Sequence, residues 1–221
     1  MGVEARDVAG SADSDLTARA RIRDAALVRF AADGIAATSL KSIAADVGVS
    51  APLVIHHFGS KDGLRAACDE YVAAAIGEQK RAAMAAGTGL DPLAAIRESQ
   101  QGPPLLQYLA RTIADGSPQV AALVDELVDD AVEYIADGVD SGVMKPSEFP
   151  RERAVVLVMW NLGALVLHDH IRRLLDVDLV GGRAEELMGW VVPAFEILAK
   201  GAMEESVYEQ WRAAAPPQSN H

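Results

Sequence analysis

The chain has 221 residues, of which half are apolar, and its formal net charge at pH 7 is −12. This length allows one large hydrophobic core or two small ones. Aromatic residues make up only 5% of the chain, alanine is abundant, and no alternating run of β-branched residues lies between turn signals. This composition favours closely packed helices over sheets, so we expect an all-α protein.

Membrane, secreted and disulfide-rich proteins are disfavoured by three features. The longest uncharged run, residues 154–168, has 15 residues, fewer than the ~20 apolar residues of a membrane-spanning helix. The N-terminal segment lacks the apolar stretch of a signal peptide. Cys68 is the single cysteine, which excludes an internal disulfide and a cysteine zinc site. We therefore expect a cytoplasmic protein with no membrane partner.

The negative charge is unevenly distributed along the chain. Residues 1–65 contain 8 basic and 8 acidic residues, whereas residues 66–221 contain 12 basic and 24 acidic residues. Within residues 15–65 the balance is 7 basic to 5 acidic. The net charge therefore does not exclude nucleic acid as a partner, because a weakly basic segment is joined to an acidic remainder.

The first third of the chain predicts three helices after a polar arm at residues 1–14, which is expected to be disordered. A helix is expected from Asp15 to Asp33, with an apolar face that includes Ile22, Ala26, Leu27 and Phe30. Thr38 or Ser39 is expected to cap the second helix, Gly48 to end it, and Ser50 to cap a third helix at residues 51–57. Two helices joined by a short glycine turn form a helix-turn-helix. We assign residues 15–62 to this domain.

The remainder predicts a second helical domain at residues 63–211 and a tail at residues 212–221. A long fourth helix is expected to follow a Ser60 cap, and a loop at residues 85–92 ends it. Glycine and proline then divide the sequence into five more helices, which are expected at about residues 91–101, 104–115, 117–138, 151–175 and 183–211. The total is about nine helices.

Residues 22–64 resemble the tetracycline-repressor (TetR) family of bacterial transcription regulators. The resemblance is carried by the segments GIAATSL, IAADVGVS and HHFGSKDGL. It implies a homodimer that binds double-stranded operator DNA through its first three helices. It also implies a pocket for a small-molecule effector among the middle helices, and a four-helix bundle formed with the second subunit by the last two helices. We expect a ligand-responsive repressor.

The resemblance to the TetR family implies which residues contact DNA. The expected phosphate contacts are Thr38, Ser39, Lys41 and Lys61. The third helix is expected to be the recognition helix, and Phe58 is expected to fix it to the core. The full set of expected DNA contacts is Thr38, Ser39, Lys41, Ser50, Ala51, Leu53, His56, His57 and Lys61. Family members often have Gly-Thr and a tyrosine where this chain has Pro52, Leu53 and Ile55. Because few side chains here can hydrogen-bond, we expect apolar contacts with thymine methyl groups and a contribution from DNA shape.

The resemblance and the apolar helix faces also indicate a ligand pocket and a subunit interface. The residues expected to line the pocket are Leu106, Tyr108, Leu109, Leu123, Leu127, Met159, Trp160 and Asn161. The residues expected at the interface are Val155, Leu162, Val166, Leu187, Trp190, Val191, Ala194 and Leu198. For both sets, a place in the intramolecular core is the alternative interpretation.

No metal, cofactor or enzymatic activity is expected. Adjacent histidines such as His56 and His57 diverge by about 100° on a helix and cannot share an ion, and His168 and His170 lack the i, i+4 spacing of a metal pair. The chain contains no GxSxG, phosphate-binding glycine loop or HExxH motif. The alternative to an effector-controlled regulator is a helix-turn-helix protein that acts without an effector, as an architectural or protein-interaction module.

Overall fold

Helices form all the regular structure in the residues that the computed structural model describes, which are 4–102 and 104–214. The side chains of residues 4–15 and 88 lie outside this description. The described helices are α1 (Glu4–Asp33), α2 (Leu40–Asp46), α3 (Ala51–Phe58), α4 (Lys61–Ala86), α5 (Pro92–Ser99), α6 (Leu105–Ala114), α7 (Gln119–Asp140), α8 (Pro150–Val166), α9 (His168–Leu175), α10 (Ala184–Lys200) and α11 (Glu205–Ala214). The all-α fold is confirmed, with eleven described α-helices where about nine were expected.

The first helix is longer than predicted. It begins at Glu4 and not at Asp15, so most of the arm expected to be disordered at residues 1–14 is helical. Residues 1–3 lie outside the described residues. No proline occurs before Pro52, and the glycine and serine at positions 10 and 11, which favoured a disordered arm, lie within the helix.

The predicted eighth helix is two helices, α8 and α9, which meet at an angle of 73° around Leu167. The bend allows Ile171 of α9 to join a small core cluster with Val177 and Leu187. Apolar periodicity does not reveal such a bend, because the apolar pattern continues on both sides of it. No single helix in the described ranges is long and apolar enough to cross a membrane, and α8 and α9 satisfy that measure of length and composition only as a bent pair.

The predicted ninth helix is also divided. Gly201 ends α10 with a φ of 80°, a left-handed conformation that favours glycine. Helix α11 then continues to Ala214, three residues into the segment expected to be a tail at 212–221. The last seven residues of that segment, 215–221, lie outside the described part of the chain.

The head, formed by α1, α2 and α3, has a core to which all three helices contribute. Ile22, Leu27 and Phe30 of α1 belong to the same buried cluster as Ile43 of α2 and Val54 of α3. The apolar face predicted for α1 is therefore confirmed. Apolar burial of this kind is the main stabilising term for helices as short as α2 and α3.

Helix α4 joins the head to the rest of the molecule through its contact with α1. The guanidinium of Arg23 lies 3.5 Å from the centre of the Tyr71 ring, a favourable cation–π arrangement. Beside it the thiol of Cys68 is fully buried and lies 3.8 Å from the carbonyl oxygen of Arg23. Burial raises the pKa of this thiol. The start of α4 is therefore part of the head core.

Farther along, α4 packs most extensively against α7. A Cβ atom at Gly77 would lie 2.3 Å from Oδ2 of Asp130, and one at Gly138 would lie 2.7 Å from Sδ of Met84. The ends of the Asp130 and Met84 side chains therefore lie directly against these glycines, and a larger residue at either position would require those side chains to move. Helices α4 and α7 therefore form one closely packed pair.

Gly63 sets the distance between the end of α3 and the start of α4. A Cβ atom at this position would lie 2.0 Å from the carbonyl oxygen of Phe58, and backbone cannot rotate away as a side chain can. We expect Gly63→Ala to lower the free energy of unfolding by about 2 kcal/mol and the Tm by roughly 4–8 °C. Thermal and urea denaturation followed by circular dichroism measure both values.

Gly89→Ala is the matched control for this substitution. It lies in the 3-10 turn Gly87–Gly89, and a Cβ atom there would have nothing within 4 Å. Its expected effect on the Tm is small. Equal losses in the two variants would contradict the steric explanation for Gly63.

Candidate nucleic-acid interface

Serine side chains cap the helices that form the candidate interface. The hydroxyl oxygen of Ser39 accepts a hydrogen bond from the Ser42 amide at the start of α2, and that of Ser50 accepts one from the Leu53 amide at the start of α3. Ser60 caps α4 in the same way. The predicted caps are confirmed, and Ser39 is the cap of α2 where the sequence left Thr38 as the alternative. Each cap fixes where its helix begins.

Two arginines of α1 hold the end of α2 in position. Nη2 of Arg21 donates to the carbonyl oxygen of Val47 at 2.8 Å, and the guanidinium of Arg29 forms a two-point ion pair with Asp46. The hydrogen bond from Arg29 lowers the pKa of Asp46, so the pair is charged at neutral pH. The partners are 26 and 17 residues apart, and the sequence contains no local signal for them.

Helix α3 has one buried and one outward face. Val54 is fully buried, whereas Pro52, Ile55 and His56 are exposed. Among the other residues expected to contact DNA, Ser50 is exposed and Ala51, Leu53 and His57 are half-buried. The sequence-based set contains Leu53 and omits Ile55, but Ile55 is the more exposed of the two. The missing signal is the helical spacing of three between Pro52 and Ile55, which places them on the same face.

Residues expected to contact phosphate occupy different environments. Ser39 and Lys41 are exposed, and the ammonium of half-buried Lys61 donates to the carbonyl oxygen of Ala36 at 3.2 Å. This bond brings the start of α4 close to the turn that precedes α2. Thr38 is only 4% exposed and its hydroxyl donates to the Gly34 carbonyl at 2.8 Å. Thr38 therefore stabilises the turn, and we leave it out of the proposed DNA contacts.

A buried polar network connects α4 to α6 and to the segment before α7. The hydroxyl of Tyr108 donates to Oδ1 of Asp69 at 2.6 Å, and Nη2 of Arg65 donates to the Ser117 hydroxyl at 2.5 Å. Nε of Arg65 lies 3.6 Å from Oδ2 of Asp69, which is an ion pair but too long for a hydrogen bond. Burial raises the pKa of Asp69, and burial together with the Asp69 charge raises the pKa of Tyr108. The tyrosine therefore stays a protonated donor.

Comparisons with known proteins match both parts of the chain. Residues 22–68 match the sequence model of bacterial regulatory proteins of the tetR family, and residues 100–204 match that of the tetracyclin repressor-like C-terminal domain. The chain is 37% identical over 209 residues to the HTH-type transcriptional regulatory protein RaaS of Mycobacterium tuberculosis (strain ATCC 25618 / H37Rv). The matched region covers 94% of this chain and 98% of that protein. The chain belongs to the TetR family.

A solved structure supports the fold of this TetR-family regulator. It is the crystal structure of a protein from Rhodococcus sp. that is classed as a TetR-family transcriptional regulator. The TM-score is 0.53 at 20% identity, and the match covers 81% of this chain and 97% of that one. At this identity the likeness is evidence for the fold alone.

The eight residues predicted at the subunit interface fall into three groups by exposure in this TetR-family chain. Those that are exposed are Val155, Val166 and Leu198, whereas Trp190, Val191 and Ala194 are half-buried and Leu162 and Leu187 are buried in the monomer. Leu187, Trp190 and Val191 belong to the small core cluster of α9 and α10. An apolar stripe predicts burial but does not distinguish a side chain buried within one chain from one buried between two.

Helices α8 and α10 each carry an apolar stripe that is exposed in the single chain. The exposed apolar residues of these stripes are Val155, Val156, Met159 and Val166 on α8, and Val192, Phe195, Ile197 and Leu198 on α10. Exposed apolar surface of this extent is typical of an interaction site. We call these residues the exposed stripes of α8 and α10.

The residues predicted to line a ligand pocket are not brought together as one group. Tyr108, Leu109, Leu123 and Leu127 are buried within the main core cluster. Leu106, Met159 and Asn161 are exposed and Trp160 is half-buried, and the Asn161 amide donates to the Leu157 carbonyl of its own helix. An open concavity of about 590 Å³ lies elsewhere, between α1, the end of α2 and the segment before α6. Its lining includes Arg21, Asp24, Val28 and Pro104.

No group of three or more metal-binding side chains is found within residues 4–102 and 104–214. The pair His168 and His170 differs in environment, because His168 is half-buried near Asp169 and His170 is exposed. One histidine of the pair therefore lies at a packed surface and the other faces solvent.

The Tyr108 hydroxyl is expected to stabilise the junction of α4 and α6. Tyr108→Phe removes a buried donor to a carboxylate, so we expect the free energy of unfolding to fall by about 2 kcal/mol. Urea denaturation measures this loss. Tyr134→Phe removes the same atom from a half-buried tyrosine that has no hydrogen bond to another described residue, and we expect it to change stability by less than about 0.5 kcal/mol. Similar losses in both variants would assign the effect to packing.

Proposed function

We propose that this TetR-family regulator is a homodimeric repressor that binds a palindromic operator and leaves it when a small, largely apolar ligand binds. The observation that carries the DNA-binding part is the outward face of α3, with hydroxyl and ammonium donors beside it. Lys61 contributes one of these donors, and its hydrogen bond to Ala36 brings the start of α4 next to the start of α2. A helix with phosphate-binding groups at its edge suits the major groove of DNA.

In the proposed complex, the side chains of Ser39, Lys41 and Lys61 contact backbone phosphates. An ammonium group has three donors, so Lys61 can keep the Ala36 carbonyl and bind a phosphate at the same time. Residues of α3 face the base edges, and the proposed set on this helix and its cap is Ser50, Ala51, Leu53, His56 and His57. The phosphate contacts fix the position of the head, and the base contacts give sequence preference.

Two heads acting together compensate for the low positive charge of each. Residues 15–65 have a net charge of +2, whereas residues 66–221 have a net charge of −12. One head with few phosphate contacts would bind weakly at physiological salt. A two-fold dimer doubles the number of contacts, and its symmetry matches a palindrome with half-sites about one helical turn apart.

The exposed stripes of α8 and α10 support the proposed dimer. Phe195, for example, is 65% exposed in the single chain, an unusual position for so large an apolar side chain. Covering the stripes with the same residues of a second copy would remove this surface from water. The proposed interface therefore consists of the exposed stripes, and Leu162 and Leu187 support it from within the monomer.

The proposed switch acts through α4. Its first turns belong to the head, its later turns pack closely against α7, and Asp69 between them binds Tyr108 of α6. A ligand that enters the core beside α6 and separates Tyr108 from Asp69 would favour a different position of α4. The ligand acts only to the extent that it binds the protein more tightly with α4 in the second position than in the first.

Mapping the binding sites of the chain in its own genome tests the proposal. Discrete palindromic sites that are lost on addition of a small molecule would support it, and the adjacent genes would indicate the chemical class of that molecule. Discrete sites insensitive to any ligand would favour a regulator without an effector. Binding without discrete sites would favour an architectural role.

Lys61→Ala should weaken binding to operator and random DNA by the same factor, because phosphates carry no sequence information. We also expect the slope of log K against log salt concentration to decrease by about 1 per subunit. Fluorescence anisotropy at several salt concentrations measures both. Lys145→Ala removes an exposed lysine from the segment before α8 and should leave both values unchanged. A loss confined to operator DNA would refute the phosphate assignment.

Phe195→Glu should convert the dimer to a folded monomer, because a charged group cannot be buried at an apolar interface without a partner. Sedimentation velocity measures the oligomeric state, and circular dichroism confirms that the fold persists. Leu90→Glu introduces the same charge at an exposed leucine before α5 and should leave the dimer intact. A stable dimer of Phe195→Glu would show that the interface lies elsewhere.

A further inference from the structure

The outward face of α3 presents an apolar ridge where a DNA-reading helix usually has polar groups. Ile55 is 49% exposed, and Pro52, three residues earlier on the same face, is exposed as well. The isoleucine has no donor or acceptor in its side chain, and proline also lacks a backbone N–H. This ridge can therefore recognise a partner only through apolar contact.

A single exposed isoleucine is common on protein surfaces and has no meaning by itself. The position of Ile55 distinguishes it. It lies on the helix that follows the glycine turn, with exposed His56 beside it, and the serine and lysine donors of α2 and α4 lie on the neighbouring helices. The surroundings suit an anionic partner, whereas the centre of the face is apolar.

We infer that Ile55 recognises the C5-methyl group of a thymine in each half-site of the operator. This inference rests on the proposed function and specifies how sequence is read. The thymine methyl is the apolar group that the major groove presents, and the phosphates on either side match the donors around the ridge. His56, as the exposed hydrogen-bonding neighbour, contacts an adjacent base edge.

Replacement of thymine by deoxyuridine removes that methyl group and leaves base pairing intact. The experiment first selects duplexes from a random-sequence library with the full-length protein, and then replaces each thymine of the selected duplex in turn. At one thymine per half-site we expect deoxyuridine to weaken binding about fourfold, and about fifteenfold when both half-sites are changed. Fluorescence anisotropy at fixed salt measures the dissociation constants.

Ile55→Ala connects the effect to this residue. The variant should bind the thymine duplex several-fold more weakly than the original protein, and deoxyuridine should then make no further difference. Val28→Ala is the matched control, because Val28 is 52% exposed on α1 and lies outside the recognition helix. It should keep the full fourfold sensitivity. Circular dichroism verifies that both variants are folded.

Three results would overturn the inference. The first is equal affinity of the original protein for thymine and deoxyuridine at every position of the selected duplex. The second is a fourfold methyl effect that persists in Ile55→Ala, which would assign the contact to another residue. The third is weaker binding by Ile55→Ala without any methyl effect, which would place Ile55 against sugar or a protein partner. Failure to select any duplex would instead contradict the proposed function itself.

Discussion

Arg65 lies near the start of α4, and its guanidinium is buried between this helix and the segment before α7. A charge removed from water is stable only when it is paired and hydrogen-bonded. Here the partners are Asp69 on the same helix and Ser117 in the segment before α7, and Asp69 is in turn bound by Tyr108. The relative positions of α4, α6 and the start of α7 therefore depend on one another. Displacing any one of them leaves a buried polar group without its partner.

Close packing of α4 against α7 restricts the kind of motion that is possible. Helix α4 makes its most extensive contacts with α7, and at Gly77 and Gly138 the ends of the Asp130 and Met84 side chains lie directly against the facing helix. We therefore expect a change at the proposed effector site to move α4 and α7 together relative to α6 and the head. Such a motion would break the hydrogen bond from Tyr108 of α6 to Asp69 of α4 and leave the packing of α4 against α7 in place.

Features that depend on residues close together in the sequence could be predicted, whereas contacts between residues far apart in the sequence could not. The serine caps and the buried face of α1 depend on residues three or four positions apart, and for this reason Ser50 and Phe30 have the predicted roles. The bonds from Tyr108 to Asp69 and from Arg65 to Ser117 join residues 39 and 52 positions apart. Nothing in a single sequence connects them. Leu187 is buried in a cluster with Ile171, which lies beyond the bend at Leu167, and the apolar pattern does not record that bend.

Cys68 is buried between α1 and α4, so its reactivity in the native protein reports on the separation of these two helices. The thiol lies between α1 and α4 and its pKa is raised, so a disulfide reagent reaches it as thiolate only when the two helices separate. The rate of thiol modification thus reports how often α1 and α4 separate around Cys68, without a label or a substitution. A ligand that loosens this contact would accelerate the reaction, and DNA that requires it would slow it. The one cysteine of the chain thus provides a kinetic measure of the contact between α1 and α4.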